Sequence, residues 1–187
     1  MNEKRQQILE AALKLFVTNG FHATPTTKIA QTAGVATGTL FHHFKTKEEL
    51  INTLYLETKD VLIQSLSSQV DQQETIKGKL RQVFFNAIRW AVNHPEHQQF
   101  YDQFSNSPFI SNITRELGHQ RFQFIYDLLK QGQENDMLKP IPIDLLFEAI
   151  QGTLNGITKY LMDHPDKITD EQCLESAFAL YWDTLKG

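Results

Sequence analysis

The chain has 187 residues, 41% hydrophobic and 21% charged, with a formal net charge of −4. That length and balance suit a folded protein, either one elongated helical unit or two small domains, and exclude disorder and fibrous repeats. No apolar run approaches the roughly 20 residues that span a bilayer, and the start of the chain lacks a signal peptide's continuous hydrophobic centre, so a cytoplasmic protein without membrane contact is expected.

Period-two alternation never persists, whereas apolar residues recur at three- and four-residue steps, so the spacing predicts an all-α fold of about nine helices. The first carries Ile8, Ala12, Leu15 and Phe16 on one stripe and stops at Asn19-Gly20, after which Phe21 folds back onto it. Thr24 is expected to cap the second, with Pro25 at its first position and Ile29, Ala30 and Ala33 buried. Gly34 turns the chain, Val35 enters the core, and Thr37 caps a short third helix with Leu40 and Phe44 inward. Thr46-Lys47-Glu48-Glu49 reads as a capping box opening a long fourth helix striped by Leu50, Leu54, Val61, Leu62 and Leu66.

The fifth helix has the strongest pattern, Ile76, Leu80, Val83, Phe84, Ala87, Ile88, Ala91 and Val92, and ends before Pro95. A short aromatic sixth segment runs from Phe100 to Phe104. The seventh starts at Ser107-Pro108, carries Ile113, Leu117, Ile125, Leu128 and Leu129, and fades through Gly132 to a turn at Lys139-Pro140. Asp144 is expected to cap the eighth. Thr169-Asp170-Glu171-Gln172 reads as a second capping box, opening a last helix with Leu174, Ala177, Phe178, Tyr181 and Leu185. No repeat, low-complexity tract or flexible linker interrupts the series.

Charge is segregated: the chain through Leu50 carries +2 and the remainder −6. A DNA-facing head on an acidic body fits that split, because phosphate contact requires local positive charge. Two short helices around a glycine turn, the second opening with the small residues Thr37, Gly38 and Thr39, have the geometry that places a helix N-terminus in the major groove. Small polar residues at a helix start are also ordinary capping chemistry, so the pattern alone leaves a packed helical corner open.

The residues themselves say more. Ile8-Leu9-Glu10-Ala11-Ala12, Leu15-Phe16, Gly20-Phe21, Thr24, Ile29-Ala30, Ala33-Gly34-Val35, Gly38, Phe41-His42-His43-Phe44 and Lys47-Glu48-Glu49-Leu50 stand in one continuous register. This stretch closely resembles the DNA-binding domain of the TetR family of bacterial regulators. The resemblance implies a helix-turn-helix domain over residues 1–50 and a helical ligand-binding and dimerisation domain over 51–187. It also implies a repressor that binds a palindromic operator in double-stranded DNA as a homodimer and is released by a small effector, whose nature the resemblance does not name; the thirteen phenylalanines of the chain point to an apolar or aromatic one.

Carried over by position, Thr26, Thr27, Lys28, Thr37, Gly38, Thr39, Phe41, His42, His43 and Lys47 form the DNA-facing set, with Lys47 as the phosphate lysine. Phe41 departs from the family's usual tyrosine and loses a hydroxyl that would reach phosphate. For the body, Ala149, Gly152, Thr153 and Gly156 form a small-residue face that, with Phe178, Tyr181 and Trp182, supplies half of a four-helix dimer interface; packing inside one subunit is the alternative. Phe84, Ile88, Phe100, Phe104, Phe122 and Tyr126 are candidate lining for an effector pocket among the fourth to seventh predicted helices, or else core. Asn86, Arg89, His119 and Arg121 are candidate polar anchors.

No cofactor is expected. Cys173, the single cysteine, cannot form an internal disulfide and reads as a small buried apolar side chain. His94, Glu96 and His97 at a proline-broken helix end read as surface residues rather than metal ligands. The chain lacks a nucleophile elbow, a phosphate-binding glycine loop and a zinc-protease helix, so an enzyme is not expected. The competing reading is a helical adaptor controlled by a protein partner instead of a small molecule.

Overall fold

A computed structural model describes residues 3–104, 107–109 and 111–187, excluding the side chains of residues 113, 115 and 118. The described residues form ten α-helices: α1 (Glu3–Asn19), α2 (Thr26–Thr32), α3 (Thr37–His43), α4 (Lys47–Ser67), α5 (Ile76–Asn93), α6 (Pro95–Phe104), α7 (Asn112–Gln120), α8 (Gln123–Glu134), α9 (Ile143–Asp163) and α10 (Glu171–Leu185). The all-α expectation holds. The tenth helix arises because the expected seventh is two helices, broken at Arg121 and Phe122. No glycine or proline stands at the break; the Phe122 side chain is buried there, and its carbonyl accepts the amides of Ile125 and Tyr126. The placement of the Ile113 side chain, expected on that helix's apolar stripe, lies outside the described residues.

The chain divides into two packing units, Met1–Val61 with His94–Gln120, and Leu62–Asn93 with Arg121–Gly187. In the first, Ile8, Ala12 and Phe16 of α1 meet Ile29 and Ala30 of α2 and Leu40 of α3 in a fully buried core. Each of the larger side chains, Ile8, Phe16, Ile29 and Leu40, contributes about 1.5–3 kcal/mol on removal from water, and each alanine methyl about 0.8 kcal/mol. Gly20 and Gly34 hold φ of +74° and +67°, the left-handed conformation that ends α1 and turns the chain between α2 and α3. After the first turn Phe21 does return to α1, its ring 4.7 Å from that of Phe16. The unit is larger than the first 50 residues: α6 packs on α1, and the stacked rings of Phe100 and Phe104 join the Phe16–Phe21 cluster.

In the second unit the apolar stripe of α5 meets α8, α9 and α10, with Phe84 of α5 against Phe178 and Tyr181 of α10. Asn86, fully buried on α5, donates its amide to the carbonyls of Leu66 and Ser68, holding the last turn of α4. Gly132 continues α8 rather than ending it, and glycine is required there because a Cβ would stand 2.4 Å from Leu138.

Several local expectations are corrected. Thr24 does not cap α2; its buried hydroxyl donates to the carbonyls of Gly20 and Leu15, and Pro25 takes the cap position. Thr37 is the first residue of α3, after Ala36. Asp144 lies inside the first turn of α9, behind Pro142. At α10 the cap is Asp170, whose carboxylate accepts the Cys173 amide at 3.0 Å, displacing Thr169 by one residue. Val61 is 43% exposed instead of buried, while Tyr55, Thr58 and Lys59 turn inward on α4. Val35, Ala33 and Cys173 are only half-buried.

Candidate nucleic-acid interface

Helices α2 and α3 bury Ile29, Ala30, Leu40 and, just past the end of α3, Phe44. Period 3.6 therefore turns Thr27, Lys28, Gln31 and Thr32 of α2 and Gly38, Phe41 and His42 of α3 outward, with Thr26, Thr37, Thr39 and His43 half-buried at the edge. Phe41 is 40% exposed, a ring turned toward solvent rather than a core residue. The rings of His42 and His43 meet edge to face, 5.3 Å apart.

Gly38 carries the clearest signal. It lies within α3 at an ordinary helical φ, and a Cβ built there would meet nothing within 4 Å. Glycine in a helix costs about 1 kcal/mol relative to alanine. Among the described residues no contact repays it. A bare backbone on the outward face of a short helix leaves room for close approach of an external surface.

Lys47 opens α4 within a cap in which Thr46 Oγ1 accepts the Glu49 amide at 3.0 Å. The Glu49 carboxylate in turn accepts the Lys45 amide at 2.6 Å, one residue before the reciprocal partner of an ideal capping box. The Lys47 ammonium donates to the Phe21 carbonyl and lies 5.8 Å over the Phe16 ring. Burial lowers its pKa below the ordinary lysine value, and Glu48 partly offsets the effect. The side chain thus fastens α4 to the turn after α1, and that bond uses one of the three ammonium donors. Sequence reasoning missed the exposed Gln31, Thr32 and Lys45 beside this face; helical phase from Ile29 and Ala30 would have found the first two.

The body candidates separate into groups. Phe84, Ile88 and Phe122 are buried in the second unit, and half-buried Tyr126 stacks on Phe147 at 4.5 Å. Burial raises the Tyr126 pKa, and Asp144 and Glu148 add to the rise. Phe100 and Phe104 are instead fully buried in the first unit, stacked at 4.4 Å. Among the polar anchors, the Asn86 amide is committed to α4, Arg89 donates to Asn86 at 3.3 Å, His119 is exposed and Arg121 half-buried. Among the described residues no group of three His, Cys, Asp or Glu is placed to hold a metal ion.

On α9, Gly152 and Gly156 repeat the observation made at Gly38: both are exposed, and a Cβ at either meets nothing within 4 Å. Leu145, 58% exposed, and half-buried Ala149 continue their stripe, and α10 adds Leu180 at 63% exposure. Thr153 bridges to Thr184 of α10 at 3.2 Å, while Phe178 and Tyr181 face inward and Trp182 is half-buried beneath the Lys77 ammonium.

Residues 8–54 match the model of bacterial regulatory proteins of the tetR family. The chain is 36% identical over 171 residues to the fatty acid metabolism regulator protein of Bacillus subtilis, covering 87% of this chain and 88% of that one. It is 28% identical over 158 residues to the HTH-type transcriptional repressor KstR2 of Mycobacterium tuberculosis, covering 82% and 78%. A crystal structure of a tetR-family transcription regulator from Shewanella sp. PV-4 superposes with a TM-score of 0.94 at 38% identity, over 98% of each chain. These relatives are transcriptional regulators, not enzymes.

Proposed function

From the premise that the chain belongs to the TetR family of bacterial regulators and is a DNA-binding transcriptional regulator, we propose that it is a homodimeric repressor released from a palindromic operator by a small, largely apolar effector. The observation that carries the dimer is the exposed stripe of Leu145, Ala149, Gly152 and Gly156 beside Leu180, where helical glycines have no counterpart within the chain. A second copy, packing through the same α9 and α10 faces about a two-fold axis, supplies the missing surface. DNA binding belongs to residues 1–50, with Thr26, Thr27, Lys28, Thr37, Gly38, Thr39, Phe41, His42, His43 and Lys47 at the duplex. Dimerisation and effector binding belong to residues 51–187.

The apolar effector is supported by the aromatic interior of the second unit, where Phe84, Ile88, Phe122 and Tyr126 are the lining residues of this reading. The Bacillus subtilis relative is a fatty acid metabolism regulator by name, which is consistent with an apolar effector. The response reaches the head through α4, which runs unbroken from Lys47 to Ser67.

Sequencing the DNA that the protein retains from its own genome, followed by footprinting, tests the reading. Protection of two inverted half-sites, centred roughly 34–36 Å apart or at a multiple of that spacing, is expected. A monomer by light scattering at micromolar concentration, or a footprint without two-fold symmetry, overturns it.

A further inference from the structure

Two aromatic side chains stand among the exposed large apolar residues described, Phe41 and Tyr160. Tyr160 stacks on the His164 ring at 4.4 Å, while among the described residues no ring stacks on Phe41, 40% exposed on α3. The rings that follow it, His42 with His43 and His43 with Phe44, lie 5.3 and 6.5 Å apart and engage one another instead. The phase of α3 puts Phe41 on the face of Gly38, one turn earlier and about 4.5 Å along the axis. A long helical side chain leans over the turn before its own Cα, yet a Cβ at Gly38 would meet nothing within 4 Å. The ring therefore projects outward and does not fold back on the helix.

Chemistry limits what such a ring recognises. Phenylalanine has neither donor nor acceptor, so it bonds no phosphate and none of the polar base atoms in the major groove. The base edges of that groove offer one apolar group, the C5 methyl of thymine, and a ring laid against it removes hydrocarbon from water on both sides. Gly38 adds the necessary room. With no side chain there, the backbone of α3 can come close enough for a ring one turn on to reach a base edge instead of stopping at the sugar–phosphate rim.

We infer that Phe41 is a specificity-determining residue that reads the C5 methyl of one thymine in each half-site. The inference rests on the reading of the chain as an operator-binding dimer, and it names the base feature that the outward face of α3 selects. His42, on the same face, offers ring nitrogens to polar atoms and leaves the methyl to Phe41.

The full-length protein is titrated by gel shift with the operator duplex it retains from its own genome, each thymine replaced in turn by deoxyuridine, which removes the methyl and keeps the base pair. One thymine in each half-site should respond, with affinity falling about threefold for one replacement and about tenfold for the symmetric pair, the scale of a methyl group left in water. Phe41→Ala, measured at low salt where phosphate contacts keep it bound, should bind the thymine and uracil duplexes equally and melt no lower than the native protein, since the ring is exposed. A native protein indifferent to every replacement overturns the inference. A uracil effect that survives Phe41→Ala does the same, because the methyl then belongs to another residue. A protein that binds no duplex sinks the operator reading as well, whereas a two-fold footprint without a uracil-sensitive thymine sinks this inference alone.

Discussion

Helices α8 and α9 both carry glycine within the helix, and the two use it in opposite directions. In α8, Gly132 is roofed by Leu138, so the missing side chain makes room for the chain's own return. In α9, Gly152 and Gly156 face open space, as Gly38 does in α3. The same residue, at a helical cost of up to about 1 kcal/mol, is repaid by folding in one case and, on the proposed reading, by a second molecule in the other. An inward glycine is read through stability, whereas an outward one is read through association.

The largest expected effect lies on the outward side. Replacing Gly152 and Gly156 together by leucine should abolish the dimer in light scattering and lower operator affinity by about a hundredfold or more, since a paired site is then held by one head. The monomer itself should not melt lower. Gly38→Leu comes next: operator affinity should fall about tenfold or more in a gel-shift assay, while the melting temperature rises slightly through better helix propensity. Gly132→Ala should do the reverse, costing about 1–3 kcal/mol in urea unfolding through overpacking against Leu138, with assembly and DNA binding intact once folded.

Lys47→Ala breaks the comparison, because its ammonium faces the Phe21 carbonyl and, on the proposed reading, DNA as well. It should lower stability modestly and also reduce the salt slope of DNA binding by about one, equally across sequences. The smallest effect belongs to His97. Its pKa is depressed in the fold, so the unfolded chain binds the proton more readily; stability is fully present above the unfolded value of about 6.5 and declines as pH falls below it. Melting temperatures between pH 5 and 7.5 should show this decline, and His97→Gln should flatten it.

Helix phase was legible in the sequence because it rests on near neighbours: Ile8, Ala12 and Phe16, or Leu40 and Phe44, are buried as their spacing requires. Caps were less legible. A threonine before a helix has more than one bond available, and Thr24 spends its hydroxyl on the preceding turn instead. The break at Phe122 carries no glycine or proline to mark it. On the candidate interface, the outward face of α2 and α3 followed from phase, but the bond from Lys47 to Phe21 joins residues 26 apart and leaves no local mark. The pairing of Phe16 and Phe21 with Phe100 and Phe104 crosses a still longer interval.

That aromatic pairing bears on modularity. The head looks detachable along the chain, yet α6 and its two phenylalanines belong to the same packing unit as α1, and α4 enters that unit without a linker. A chimera spliced at residue 50 would strip α6 from α1 and leave the Phe16–Phe21 rings to whatever foreign helix follows. Transplanting this DNA specificity onto another regulator therefore means grafting a discontinuous module, residues 1–61 together with 94–120.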